Sequence, residues 1–266
     1  MAVEVTCVNI THVKTSGRPS RESAVRSAGL EAGRPSRRAC MPRAQRTPEQ
    51  IESVKKKILE TAVELMNRVG YRDFSMRGLA RELKVSPPTL YTYFHDKDEL
   101  YLCILIEGFK ELYGLVEAEC SRGGDPFGRL RGIARAYVDF GLHRAHFYNL
   151  MFTWHVPKYN DYLGTPVEEV ARLELETALG VARLVTGVIR ECAGEGYTIT
   201  EQDARFLLVC VWSTLHGFIA GINNTLLTYM HEDPLSLVDD LVDHVHERFV
   251  QDIRARMTPR DRAAAR

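Results

Sequence analysis

The sequence predicts an all-α fold, and three observations predict it. Apolar residues recur at spacings of three and four through most of the chain after Thr47. Helix-start signals stand at the heads of these runs. No stretch of any length alternates apolar and polar residues as a half-buried strand would. Two domains are expected within the 266 residues: residues 47–95 as a small helical unit and residues 96–257 as a larger helical bundle. Residues 1–46 read as a disordered basic extension and residues 258–266 as a disordered tail.

The extension stands apart by charge. Residues 1–50 carry nine basic against four acidic residues, a net of +5; because the whole chain balances 35 against 35, the other 216 residues carry −5. Over residues 15–46 the chain is rich in Ser, Gly, Pro and Arg and cannot bury enough apolar surface to offset chain entropy. Two readings stand for this segment: a basic arm that attracts DNA non-specifically, or sequence upstream of a true start at Met41. The six cysteines form no CxxC pair and no zinc-type spacing, so they read as reduced structural thiols. No run reaches the roughly 18 uninterrupted apolar residues of a membrane span, and no secretory signal opens the chain. A cytoplasmic protein without membrane partners is expected.

The elements follow in order. Thr47-Pro48-Glu49-Gln50 is a capping box with proline at the first helical position. Behind it Ile51, Val54, Ile58, Ala62, Leu65 and Val69 make one apolar stripe, and Gly70 is expected to end the helix in a left-handed conformation. Lys55, Lys56 and Lys57 read as a solvated face. Ser75 caps a second helix of about eight to ten residues, its apolar side being Met76, Leu79, Ala80 and Leu83. Ser86-Pro87 opens a third over residues 87–94. Asp96-Lys97-Asp98-Glu99 is a further capping box, leading a long helix through Leu100, Ile104, Leu105, Phe109, Leu112 and Val116. Two short helices joined by a tight turn between longer ones make the helix-turn-helix plan.

On the third helix Leu90 and Phe94 share the inward face. Pro88, Thr89, Tyr91 and Thr92 then point outward, with Tyr93 at the flank. Tyrosine hydroxyls donate to phosphate oxygens, while threonine and the proline ring can touch base edges and thymine methyls. Double-stranded DNA is the partner this surface suits.

The run from Phe74 to Leu100, above all Val85-Ser86-x-x-Thr89-Leu90-Tyr91-x-Tyr93-Phe94 and the following Lys97-Asp98-Glu99-Leu100, resembles the DNA-binding signature of TetR-family transcriptional regulators. The resemblance covers about residues 47–100. It implies guanine reading by Arg77, base-proximal roles for Pro88, Thr89 and Thr92, and phosphate contacts by Tyr91, Tyr93 and Lys97. Ser86, at the head of the helix, joins this DNA-facing set. Pro87 departs from the polar or small residue often found at its position, and proline offers no donor there.

Beyond Phe127 four further helical runs are expected. One passes through Leu130, Ile133, Ala134, Tyr137, Val138 and Leu142, and one spans Glu168 to Glu191. A third occupies residues 200 to about 229, after a break at Gly194-Glu195-Gly196, and a fourth residues 234–257. The last two carry more apolar residues than one bundle needs, among them Phe206, Val209, Val211, Ile222 and Leu226, which suits a two-fold homodimer. An aromatic cluster at residues 147–162 and a shared face on the later helix suggest an effector pocket built from Tyr148, Phe152, Trp154, His155, Trp212, His216 and Asn223. Trp212 to Gly217, with His146 to Phe152 upstream, resembles a TetR subgroup with a Trp…His-Gly signature. The expected effector is a small, largely apolar molecule; core packing of Trp212 and His216 is the competing reading. His143 and His146 lack the carboxylate or cysteine support of a metal site, and no cofactor motif or catalytic fingerprint occurs, so no metal and no cofactor is expected. The favoured function is a DNA-binding regulator, in the usual case a repressor released by its effector from a palindromic operator. An all-α enzyme using the C-terminal histidines and a helical adaptor are the alternatives.

Overall fold

A computed structural model describes residues 47–259; the expectations for residues 1–46 and 260–266 lie outside these described residues. The described chain is all-α but for one two-residue strand pair. The first helix, α1 (Pro48–Asp73), starts at the expected box: Gln50 N–H donates to Thr47 Oγ1 at 3.3 Å and Thr47 N–H donates back to Gln50 Oε1 at 3.0 Å. Ile58, Ala62 and Leu65 are buried with Leu59, Val63 and Met66, whereas Val69 is exposed. Gly70 breaks the regular helix at the expected residue and with the expected positive φ. Its φ of +83° and ψ of 157° kink the backbone, and one more helical turn follows, closed by Phe74 N–H donating to the Gly70 carbonyl at 3.2 Å.

Ser75 caps the second helix, α2 (Met76–Glu82), accepting from Gly78 N–H at 3.1 Å. It is seven residues long, shorter than expected, because Lys84 takes a left-handed φ of +55°. Val85 N–H reaches back to the Ala80 carbonyl at 3.0 Å and Lys84 N–H to that of Arg81 at 3.2 Å. This double closure is the Schellman stop, here with lysine where glycine is usual. The third helix, α3 (Pro87–Leu90), has four regular residues rather than eight. Beyond them the backbone tightens: Thr92 and Tyr93 bond three residues back, to Thr89 and Leu90. Ser86 stands at its cap position without a side-chain cap bond; its hydroxyl pairs with that of Thr89 at 2.8 Å.

The long helix α4 (Lys97–Cys120) is capped by Asp96, which accepts from Glu99 N–H at 2.8 Å. The reciprocal arm is displaced from the expected box, because Glu99 takes the N–H of His95 instead. Next come α5 (Pro126–His143), the short α6 (Ala145–Tyr148) and a single π-helical turn at Asn149–Thr153. The next long helix, α7 (Glu168–Glu191), has the expected bounds. After β1 (Tyr197–Thr198), α8 (Glu201–Asn223) stops six residues before the expected end, since Thr225 is left-handed at φ +59° and repeats the Schellman closure through Leu226 N–H to Gly221 at 2.8 Å. A 3-10 turn at Pro234–Leu237 precedes α9 (Val238–Ala255). Thr258 and Pro259, expected in a loose tail, form β2 and pair antiparallel with β1.

The larger bundle is centred on α4 and α5. α4 lies along α7 and α5, and α5 also meets α8 and α9. Its core is apolar, with Leu102, Ile104, Ile106 and Val138 almost wholly excluded from solvent. Gly141 lets α5 and α8 approach; a Cβ there would stand 2.6 Å from Ile219 Cγ2 and 3.1 Å from Tyr148 Cε2. Cys103 and Cys192 are buried thiols, while Cys210 is exposed on α8. Among the described residues α8 is the one helix long and apolar enough by composition to cross a membrane. Its outward residues include Phe206, Val209, Cys210 and Trp212, and Arg256 holds its guanidinium 4.2 Å from the centre of the Phe206 ring.

Candidate functional site

The α3 region presents two faces of different chemistry. Leu90 and Phe94, at 1% and 2% exposure, fasten it to the small core formed with α1, α2 and the start of α4. On the other side Pro88, Tyr91 and Thr92 are exposed, with Thr89 and Tyr93 half-buried. The hydroxyls here are partly committed: Thr92 Oγ1 donates to the Thr89 carbonyl at 2.7 Å, which leaves its lone pairs outward as acceptors. Arg77 is exposed in the first turn of α2, close in sequence to exposed Arg81 and Lys84, and makes no ion pair among the described residues. Arg68 and Glu82 tie α1 to the end of α2 at 3.1 Å.

Lys97 is placed differently from the other sequence-selected residues. Its ammonium donates to the Tyr71 carbonyl at 2.5 Å and sits 4.0 Å above the Tyr71 ring centre. Partial burial there holds its pKa below the ordinary lysine value. The Tyr71 hydroxyl donates to Asp98 Oδ1 at 2.6 Å, and its ring meets Tyr101 edge-on at 4.9 Å. The extra turn after the Gly70 kink thus joins the start of α4 to the helix-turn-helix unit.

The second feature is a partly open cavity of about 270 Å³ lined by α4, α5, α7, α8 and α9 and the π-helical turn. Phe109, Tyr137, Phe152, Trp212, Leu215 and His246 are among its walls, and no charged side chain lines it. Of the seven expected pocket residues, Phe152 and Trp212 reach it, their rings 6.1 Å apart. Tyr148 and His216 stand behind this wall as a polar chain. The Tyr137 and Tyr148 hydroxyls are 2.9 Å apart, and the Tyr148 hydroxyl is 2.7 Å from His216 Nδ1. The His216 ring stacks on Trp212 at 4.8 Å, and burial lowers its pKa, favouring the neutral imidazole.

Three expected pocket residues lie elsewhere. Asn223 donates from Nδ2 to the Gly141 carbonyl at 3.0 Å, cross-linking α8 and α5. Trp154 follows the π-helical turn and is not part of the cavity wall, and His155 is exposed. The backbone leaves the helical turn at Trp154 in an extended conformation (φ −81°, ψ 149°), so adjacency in sequence does not carry these two inward. His143 turns Nδ1 to the Asp139 carbonyl at 2.8 Å, and His146 is exposed.

Sequence reasoning missed Tyr137 and His246 as cavity residues. The available signal was a polar residue on an otherwise apolar stripe: His246 stands four residues after Val242 and three before Phe249, both buried.

Comparison with known proteins agrees with this architecture. Residues 58–104 match the bacterial regulatory proteins of the tetR family, and residues 130–245 match the tetracyclin repressor-like C-terminal domain. Over 109 residues the chain is 33% identical to the HTH-type transcriptional activator FasR of Mycolicibacterium smegmatis, covering 41% of this chain and 47% of FasR. The chain spans about half the length of the curated relatives it matches. Among solved structures, the regulatory protein SCO4313 superposes with a TM-score of 0.59 at 20% identity, covering 76% of this chain and 98% of its own. FadR of Bacillus subtilis, solved in complex with stearoyl-CoA, does so at 0.55 and 14% identity, covering 71% and 96%. These structural likenesses show a shared fold. With one match on the helix-turn-helix unit and a second over the bundle, together spanning more than half of its residues, the chain belongs to the tetR family of bacterial regulatory proteins.

Proposed function

We propose that this protein is a sequence-specific, DNA-binding transcriptional regulator that acts as a homodimer and answers to a small apolar effector. The observation that carries the reading is the α3 surface. Two buried side chains fix it from beneath, while a proline, a threonine and a tyrosine face outward with Arg77 in the neighbouring helix. Residues 47–95 would read the duplex and residues 96–257 would bind effector and pair. Arg77 suits bidentate contact with guanine O6 and N7. Thr92, with its proton spent on the backbone, suits bases that offer an amino donor. Ser86, Thr89 and Pro88 lie beside it, and Tyr91 and Tyr93 are placed for phosphates. For Lys97 to reach a phosphate its ammonium must leave the Tyr71 carbonyl, so this contact costs an existing hydrogen bond.

A homodimer through α8 and α9 supplies the second reading head, one DNA turn of about 34 Å away, as a palindrome requires. Exposed Phe206, Val209 and Trp212 give α8 the apolar face such pairing needs. Effector release then has a structural route. Phe152 borders the cavity, and the same short segment touches both helices that flank the reading pair. Asn67 Nδ2 of α1 donates to the His146 carbonyl at 3.3 Å, and the Tyr101 hydroxyl of α4 donates to the Leu150 carbonyl at 3.1 Å. A ligand that moves Phe152 shifts the balance between two settings of the reading heads, only one of which fits DNA. Fatty-acyl ligands are a natural first class to screen, since FadR of the same fold was solved with stearoyl-CoA. The usual outcome in this family is repression relieved by ligand; the position of the operator decides between that and the activation named for FasR.

Selection of bound DNA from a random pool tests the reading. A palindromic consensus is expected, with affinity falling as salt rises. Arg77→Ala should weaken binding by about tenfold to a hundredfold and relax the preference at one guanine per half-site. A purified dimer that retains no sequence preference, or an Arg77→Ala chain that binds the consensus unchanged, overturns it.

A further inference from the structure

The cavity is not closed by its own chain. Two of its lining residues, Val209 and Trp212, are exposed on the flank of α8, Val209 at 58%. The mouth therefore opens beside the outward stripe of α8, where Phe206, Cys210, Ser213 and Gly217 follow one another at spacings of three and four. That face lacks the charges of an ordinary protein surface. No Asp, Glu, Lys or Arg occurs from Phe206 to Met230, and only 22% of the most apolar stretch of α8 is buried. A second apolar group stands beyond the end of the helix. Leu227 packs back on α8, its Cγ 2.8 Å from where a Cβ at Gly221 would stand, and this fixes the 3-10 turn Leu227–Tyr229. Leu226, Tyr229 and Met230 project from that turn, the last two at 86% and 82% exposure.

Resting on the homodimer and effector site proposed above, we infer that a second copy of this chain completes the cavity: the partner's turn at residues 225–230 closes the mouth at Val209 and Trp212. The placement follows from symmetry. A two-fold axis across α8 runs its two copies antiparallel, and they approach most closely where no side chain intervenes. Gly217 is that point, since a Cβ there meets nothing of its own chain within 4 Å. Residues equally far before and after Gly217 then face one another. Val209 thus meets Thr225 of the partner subunit, and Phe206 meets Thr228 of the partner subunit. Within one chain the turn cannot serve its own mouth, because the fourteen residues of helix from Val209 to Asn223 separate them by about 21 Å. One surface supplies both halves of the match, large apolar side chains at one end and the open mouth at the other. That self-complementarity is what an isologous contact demands, and it favours a second copy over an unrelated partner. Closure also links two equilibria: a ligand held better by the dimer must in turn strengthen the dimer.

The test titrates the full chain with N-phenyl-1-naphthylamine, an uncharged apolar fluorophore that brightens out of water. Ala178→Phe fills the cavity from α7 and should abolish uptake, which locates the fluorophore. Gly217→Arg points into open space in the protomer and should give a folded monomer, checked by thermal melt and sedimentation. That monomer should bind the fluorophore at least about tenfold more weakly than the parent dimer. The paired change Tyr229→Ser and Met230→Ser alters side chains exposed in their own protomer, yet it should weaken binding about fivefold or more. Saturating fluorophore should lower the parent's dimer dissociation constant at least about tenfold in sedimentation. Uptake that survives Ala178→Phe, parent-like binding by either of the other variants, a dimer constant indifferent to fluorophore, or no uptake by the parent overturns the inference. A parent that stays monomeric at every concentration fails the homodimer itself, whereas a dimer whose affinity ignores these substitutions fails only the closure. Either outcome is separate from DNA recognition: a dimer that closes over the fluorophore but selects no DNA sequence removes the regulator reading and keeps this one.

Discussion

Removing one hydroxyl, by Tyr148→Phe, should expose how the cavity wall is held. The Tyr148 side chain is fully buried, and its hydroxyl sits between Tyr137 at 2.9 Å and His216 Nδ1 at 2.7 Å. Phenylalanine keeps the ring and its contact with Phe152 at 5.0 Å, so the substitution isolates the polar atom. Two neutral hydrogen bonds vanish, each worth about 1 kcal/mol, and the buried Tyr137 hydroxyl, left with Trp212 alone beside it, adds a further cost of about 1 kcal/mol. A total near 2–4 kcal/mol is expected. Tyr137→Phe should cost only about 1 kcal/mol, because Tyr148 then retains His216. In the double variant the stranded hydroxyl no longer exists, so the two costs should fall short of additivity by about 1 kcal/mol or more. Urea denaturation of the three variants and the parent at neutral pH, with unchanged slope against denaturant, gives these values. Additive costs, or a Tyr148→Phe chain within about 0.5 kcal/mol of the parent, would refute the account of a connected polar chain.

Further expectations concern the backbone, packing and pH. Lys84→Gly and Thr225→Gly each place glycine at a left-handed position, and each should stabilise by about 0.5–1 kcal/mol, with the larger gain at β-branched Thr225; a lowered melting temperature would contradict this. Gly141→Ala should destabilise by about 1–3 kcal/mol in denaturant titrations, since its Cβ meets Ile219 and Tyr148 at less than normal contact and Asn223 anchors the same residue's carbonyl. Burial raises the Glu174 carboxyl to about 7, with Lys158 opposing, so the folded chain holds a proton that the unfolded chain releases above its ordinary 4.5. That group's contribution therefore declines as pH rises from about 4.5 to 7 and stays low above. Glu174→Gln should stabilise by about 1–3 kcal/mol above pH 7, after discount for partial exposure, and by nothing below pH 4.5; a pH-independent difference would contradict the assignment.

What the sequence revealed follows the reach of each interaction. Thr47 and Gln50 answer one another within a single turn, and the apolar face of residues 168–191 repeats often enough to mark both ends of α7. The small helix-turn-helix unit was legible for the same reason: Ser75, Ser86-Pro87 and Asp96 punctuate it locally. Helix stops carried by Lys84 and Thr225 were hidden, because neither residue type announces a left-handed backbone as glycine does. Thr258 and Pro259 join a strand whose partner lies some sixty residues earlier, a pairing no local window contains. The cavity was the least legible part. Leu112, Val185 and Val245 have the same pattern whether they fill a core or line a hole, and only the separation of the helices decides which. His216 was visible on its helix face, but its bond to Tyr148 across 68 positions was not.

The four-residue span of α3 has a further consequence. So short a helix has almost no cooperativity of its own, and its shape is borrowed from the anchors Leu90 and Phe94. Of the outward side chains, Pro88 and Tyr91 bury little against that core, and Thr92 adds one local bond to the Thr89 carbonyl. If that side reads DNA as proposed, mutational drift there would retarget the protein to a new operator while folding continues undisturbed, and the lexicon of sites would evolve separately from the scaffold that displays it.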